Sequence, residues 1–503
     1  MRTTSVIWFA AYLAAMAAAT ASAWAADYVE FWHTMSGQRG TELRQMVTRF
    51  NAVQPECSVV PIYAGNFFSA TNSVLDVLDQ NNPPKIIQID RTATATLLAS
   101  RDRFYPIREL MSAASEPFNQ SQFLLAVAGS VTDENGDLMA LPFDLAAPVL
   151  YYNKDAFRLA GLDPKTPPRT WPDVARAAHR TQAAGYACGL TTGRPSWVHI
   201  ENFAAWHNLP FATYANGLDP GPARLAFNAR PFIRHLETLG EWQSVGVFEY
   251  SGPNEDGPNG RNEAAQKFLT QHCVMYTDSS SEYAALKTSI RGFEFEIGPL
   301  PYWPDDPGAP QNTLIGGSYL WSPRGGTQAE DRCVARFFGY LISAPVQAAW
   351  HQATGDVPTT SEAYAFTRAQ GYYAVNPGTN IAVQTLELHP PTVHSRGIRL
   401  GDFAHVQQII EEQLRSFFAG TISAQTALDV SVDQGNRLIA AFEAKQAAQA
   451  LTSQHRLPTA ILSRTGLLGV LAAAAGVCIA GVCAFILVLE RRRGGRGRRS
   501  PNV

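Results

Sequence analysis

Three consecutive hydroxyls, Ser279-Ser280-Ser281, separate a β-prone run, Val274 to Thr277, from a helical segment that begins at Glu282. A loop there points backbone N–H groups and hydroxyls outward at a helix start, which suits an anion or the hydroxyls of a sugar; ordinary N-capping is the alternative reading. Gly316-Gly317, after Leu314 and Ile315, permits a ligand to approach the backbone closely, or marks a bulge. Residues for catalysis are missing: the chain has no G-x-S-x-G, no H-E-x-x-H, no Walker loop and no dinucleotide glycine fingerprint. Its 11 histidines include no i, i+4 pair, and His33, His207 and His351 sit beside tryptophans in packing contexts. None of the 6 cysteines forms a C-x-x-C pair, so metal-ligand spacing is absent. The chemistry on offer is binding, without metal or cofactor.

The elements that would carry those loops read as α/β. Tyr28 to Trp32 is strand-like, and Leu43, Met46, Val47 and Phe50 follow at i, i+3, i+4 and i+7, a helix with one buried face. Ser58 to Ile62, a helical frame over Val74 to Leu78, and Ile86 to Ile89 repeat the step, giving βαβαβ with a parallel sheet. Val149 to Tyr152 is a further strand. Asn153 can cap a short helix over Lys154 to Ala160, stopped by Gly161; Thr170 with Asp173 makes a capping box for a helix beginning at Trp171. Two helices, Phe403 to Phe418 and Ala424 to Glu443, close the body, and no internal repeat is evident.

Both ends of the chain are apolar. Residues 1–25 read as a secretory signal peptide with A-x-A patterns near Ala23 and Ala25. Gly466 to Leu489 is an uncharged run of 24 residues, about 36 Å as a helix against a hydrocarbon core of about 30 Å. Six arginines follow it within residues 490–503, which places that tail in the cytoplasm and the body outside. The charge of −3 leaves no basic field for nucleic acid beyond the tail. An oxidising compartment allows disulfides among Cys57, Cys188, Cys273 and Cys333, but spacing fixes no pairing, and buried free thiols are an equal alternative.

The stretch P-V-L-Y-Y-N-K-D-A-F-R-L-A-G-L-D-P-K-T-P-P-R-T-W-P-D over 148–173, with F-W-H-T-M-S-G at 31–37, E-N-F-A-A-W-H-N-L-P at 201–210, I-G-G-S-Y-L-W at 315–321 and W-H-Q-A-T-G at 350–355, resembles the periplasmic glycerol-3-phosphate-binding proteins of ABC importers. The resemblance runs from about Phe31 to about Phe442. It implies a two-lobed, periplasmic-binding-protein-like (type II) α/β fold whose chain crosses between lobes more than once. Lobe 1 would comprise 26–145 and 307–357, and lobe 2 would comprise 146–306 and 358–448. A linker over 449–465 would then lead to the apolar run 466–489, an addition to the family pattern.

Carried over position by position, the family's ligand residues fall on eight positions of this chain. Trp171, Ser279 and Gly317 match the family's cleft residues. Phe67 stands for a tyrosine, Arg91 for a glutamate, Ala146 for a serine, Asp356 for a tyrosine and Gln407 for an arginine that contacts the anion. A one-residue shift would put Asp90 in the place of Arg91. Trp171, with Trp32 and Phe67, implies aromatic surface suited to a sugar or polyol face, core packing being the other role. Losing a charge-assisted partner costs several kcal/mol, so the replacements argue against glycerol-3-phosphate itself. Arg91 and Asp356 either pair with each other or each hold one end of a zwitterionic or sugar-acid solute.

The resemblance thus implies the substrate-binding component of an ABC importer for a sugar, polyol or glycerol-phosphate-like solute. Its partners would be that solute, the permease subunits and, through its C-terminal helix, the membrane. The alternative is a tethered receptor that signals to a membrane partner.

Overall fold

Residues 27–65, 71–79, 83–129, 131–252 and 262–455 are described by a computed structural model. The signal segment 1–25, Phe67, the end of the linker, the apolar run 466–489 and the arginine-rich tail lie outside the described residues. Among the described residues no helix is long and apolar enough to cross a membrane.

The chain opens with β1 (Asp27–His33), α1 (Gly37–Val53), β2 (Cys57–Tyr63), a helix over Thr71–Leu78 and β3 (Ile86–Asp90). β1 pairs in parallel with both β2 and β3, the expected βαβαβ unit. α1 buries Leu43, Met46, Val47 and Phe50 because that spacing returns to one face of a 3.6-residue period. β4 (Leu141–Ala146) and the later, antiparallel β10 (Gly316–Trp321) complete a five-stranded sheet of order β2-β1-β3-β10-β4.

A second five-stranded sheet, β7-β6-β8-β5-β9, belongs to the other lobe. Its strands are β5 (Pro148–Asn153), β6 (Cys188–Thr192), β7 (Phe248–Tyr250), β8 (Cys273–Ser279) and β9 (Phe295–Gly298). β5 leads to a short helix whose cap is Asn153, its side chain accepting from the Ala156 N–H. α2 (Trp171–Ala183) starts from the capping box formed by Thr170 and Asp173, with both reciprocal bonds present. The helix expected at Glu282 instead begins as a 3-10 turn over Ser280–Glu282, continuing as α-helix from Tyr283.

The chain crosses from the first sheet to the second between Ala146 and Pro148, and returns after β9 to form β10. It then adds α3 (Gln328–Ile342) and α4 (Ala344–Thr354) to the first lobe before α5 (Phe403–Phe418) and α6 (Ala424–His455). α6 runs past Glu443, so the first residues assigned to the linker are helical. Glu443 ends the compact unit that holds both sheets.

Two disulfides settle the question left open by cysteine spacing. Cys57, at the start of β2, bonds Cys333 in α3, and Cys188 bonds Cys273, its register partner on the neighbouring parallel strand. Each lobe thus carries one covalent staple. The cysteine sulfurs near Glu249 are consumed in that bond and offer no thiolate to a metal.

Candidate functional site

The carboxyl ends of the parallel strands, where open α/β sheets bind ligands, carry charged side chains in both lobes. In the first lobe, Arg39 in the opening turn of α1 donates to both oxygens of Asp356 at 3.0 Å and also contacts Asp144 of β4. Gln88 on β3 donates to the other Asp144 oxygen at 2.8 Å, and the Trp350 indole N–H donates to Asp356 at 2.8 Å. Asp356 follows α4 and is buried; burial raises its carboxyl pKa, and Arg39 works against that rise.

Arg91, directly after β3, reaches into the second lobe. It donates to Glu201 at 2.5 Å, and the Gln407 amide on α5 donates to the other Glu201 oxygen. Glu201 is fully buried at the end of a π-helical turn over Trp197–Glu201. The Arg91 guanidinium also lies 5.9 Å from the centre of the Phe403 ring. One turn beyond Gln407, Glu411 accepts from the Ser196 N–H at 2.9 Å while its second oxygen is buried and accepts nothing. Burial, reinforced by Glu201, pushes Glu411 up to about 7.

In the second lobe Arg194 follows β6, donates to Asp278 at 2.6 Å and lies 3.6 Å from Glu282. Asn262 donates to Asp278 at 2.7 Å, as does the Ser279 N–H at 2.6 Å. Burial first, and then Asp278, push Glu282 up to about 7; Arg194 and Arg39 oppose them, so Arg39 of the first lobe acts across the cleft.

The structure places the eight positions as follows. Ser279 caps the 3-10 turn: its hydroxyl accepts from the Ser281 N–H at 3.2 Å and lies 2.7 Å from the Ser281 hydroxyl. The Ser280 hydroxyl is buried and has no partner. Gly317 has a φ of +104°, and a Cβ there would lie 1.9 Å from the Asp144 carbonyl oxygen, so β10 can approach β4 only with glycine. Ala146 pairs with Gly316 in the same ladder, and a Cβ on Gly316 would lie 2.7 Å from the Trp197 ring of the other lobe.

Trp171 is buried among His199, His235, Trp242 and Trp303, with ring centroids 4.9 to 6.5 Å away and its indole N–H unpartnered. Phe67 lies outside the described residues. Asp90 turns back to accept from the Thr92 N–H and hydroxyl. Arg91 directly follows β3, whereas Asp356 follows α4 and bonds Arg39, and Gln407 lies on α5 and bonds Glu201. Arg91 and Asp356 do not pair with each other, which corrects the first of the two alternatives offered for them, because each has a nearer partner of its own. Glu201 and Arg39 are those partners, and sequence reasoning missed both. Glu201 stood in view as the first letter of E-N-F-A-A-W-H-N-L-P.

His33 and His351 are buried and held down to about 4 by burial, as is His207, so these histidines are neutral packing groups.

A family model for bacterial extracellular solute-binding proteins matches residues 45–374. The sn-glycerol-3-phosphate-binding periplasmic protein UgpB of Salmonella typhimurium is 39% identical over 432 residues, covering 86% of this chain and 97% of that protein. Its counterpart in Escherichia coli K12 is 38% identical over 423 residues, covering 84% and 94%. Among solved structures, UgpB from Mycobacterium tuberculosis in complex with glycerophosphocholine superposes with a TM-score of 0.66 at 20% identity, covering 82% of this chain and 98% of that one. The GacH receptor of Streptomyces glaucescens, solved unliganded and with acarbose, gives 0.67 at 17%, covering 82% and 99%. At such identities these two structures speak to the fold alone.

Proposed function

We propose a function from one premise: the chain belongs to the family of bacterial extracellular solute-binding proteins. It is a binding protein and not an enzyme. It serves as the substrate-binding component of an ABC importer, taking a sugar, polyol or glycerol-phosphate-like solute in the periplasm and presenting it to permease subunits. The observation that carries this reading is the Arg91–Glu201 pair, which joins the strand ends of one lobe to the other lobe where a solute would be enclosed. Trp171, Ser279 and Gly317 support it as positions shared with the glycerol-3-phosphate-binding relatives. Phe67, Ala146, Asp356 and Gln407 are assigned to the same cleft, as replacements that change what it takes.

The receptor is tethered. The uncharged run Gly466 to Leu489 is long enough to span, and the arginines after it favour a cytoplasmic tail. Removal of a signal peptide near Ala26 would leave the body outside and anchored at its C-terminus.

Two measurements test the proposal. Alkaline washing of membranes should leave the full chain in the pellet; recovery in a periplasmic extract would refute the tether. Isothermal titration with glycerol-3-phosphate should show weak or no binding, because Gln407 supplies no fixed positive charge. Submicromolar affinity would show that the cleft has kept the ligand of its relatives.

A further inference from the structure

Each of the three arginines at the strand ends is already committed to carboxylates. Arg39 holds Asp144 and Asp356, Arg194 faces Asp278 and Glu282, and Arg91 is bonded to Glu201, which in turn acts on Glu411. Arg39 and Arg194 each face two acids, while Glu411, beside the Arg91–Glu201 pair, is also acted on by Arg415. An incoming phosphate would have to displace a buried carboxylate from its arginine, and leaving a buried charge unpaired is among the costliest changes in a protein.

One cluster also contains an acceptor without a donor. The second carboxylate oxygen of Glu411 is buried and accepts no hydrogen bond, in a site where Glu201 is fully buried and Gln407, one turn away on α5, contributes a neutral amide. Ser196 on the π-helical side, Tyr250 on β7 and exposed Arg415 on α5 are the other groups that act on Glu411. Burial nevertheless dominates, holding Glu411 and Glu282 up to about 7.

We propose that the cleft selects a cationic, hydroxyl-bearing solute, such as an amino sugar or amino polyol, whose ammonium group is held by Glu201 and Glu411. This rests on the reading of the chain as a solute receptor and names the charge of its solute. An ammonium has three donors and no acceptor, so it supplies the missing partner of Glu411 and favours its ionised form. Hydroxyls of the same solute meet the serine loop and the backbone at Gly317.

The test is a binding panel matched in shape and divided by charge: glucosamine and galactosamine, glucose and galactose, glucose 6-phosphate and glycerol-3-phosphate, each titrated calorimetrically into the intact protein. The expected result is binding by an amine at least tenfold tighter than by its neutral counterpart, with Glu411→Gln and Glu201→Gln each removing that preference. Amine binding near pH 7 should also release protons, as ionisation of Glu411 is favoured. A neutral or anionic member bound as tightly as its amine would overturn the charge assignment and leave the receptor intact. No binding by any member would count against the receptor reading as well. The panel uses the unaltered protein, so its result holds even if a variant fails to fold.

Discussion

Arg91 of the first lobe donates to Glu201 of the second at 2.5 Å, with the Glu201 side chain fully buried and that of Arg91 10% exposed. Closing the lobes therefore buries an ion pair whose two halves come from opposite sides. Removing one member strands the other: Arg91→Met should destabilise the closed body by about 3–5 kcal/mol, whereas adding Glu201→Gln to it should restore most of that. Chemical denaturation of both singles and the double measures it, and a double mutant as unstable as the sum of the singles would show that the pair is not coupled.

Gly317 should resist substitution. With a φ of +104° and a Cβ site 1.9 Å from the Asp144 carbonyl oxygen, Gly317→Ala must displace β10 from β4, at a cost of roughly 1–3 kcal/mol from backbone strain. Asp144 would move with it, so solute affinity should fall alongside the melting temperature. An unchanged melting temperature would contradict the close approach.

Each disulfide constrains one lobe. Cys57→Ser with Cys333→Ser, or Cys188→Ser with Cys273→Ser, should each cost about 2–4 kcal/mol in the unreduced protein. Mass spectrometry after alkylation should find no free thiol at these four positions, and alkylation of any of them without reduction would refute the pairing.

Stability should depend on pH in two opposed ways. Burial holds His33, His207 and His351 down to about 4 and His199 to about 3, so the folded chain binds fewer protons than the unfolded one below about 6.5. Their contribution is present above that pH and is lost as pH falls towards 4 and below. Burial, with Glu201, instead raises Glu411 to about 7, so its folded form holds a proton that the unfolded form releases above about 4.5. That contribution is present below about 4.5 and is lost as pH rises to 7. The melting temperature of Glu411→Gln relative to the parent should therefore rise between pH 4.5 and 8; a flat difference would show that Glu411 titrates normally.

Local signals carried most of the fold into view. Apolar spacing along α1, the capping box at Thr170 and the strand at Val149 depend on neighbours within a few residues, and all three have their expected form. α6 outran its expected end because Ala444 to His455 is rich in alanine and glutamine, which favour helix without any apolar stripe to announce it. Partnerships across the cleft were not legible: Arg91 and Glu201 are 110 residues apart, and Arg39 and Asp356 are 317 apart. Charge type alone suggested Arg91 with Asp356, while the crossovers decide which strand ends meet. Trp171 shows the converse limit, since a resemblance names a position without showing whether its ring is exposed or packed.

Small-angle scattering tests the central claim, a solute enclosed between two lobes, most directly. Addition of the best amine from the charge-divided panel should reduce the radius of gyration of the body by favouring the conformation in which Arg91 meets Glu201, and Arg91→Met should abolish that compaction while weakening binding. Tight binding with an unchanged radius of gyration, equally strong in Arg91→Met, would contradict the account by placing the site on one lobe alone.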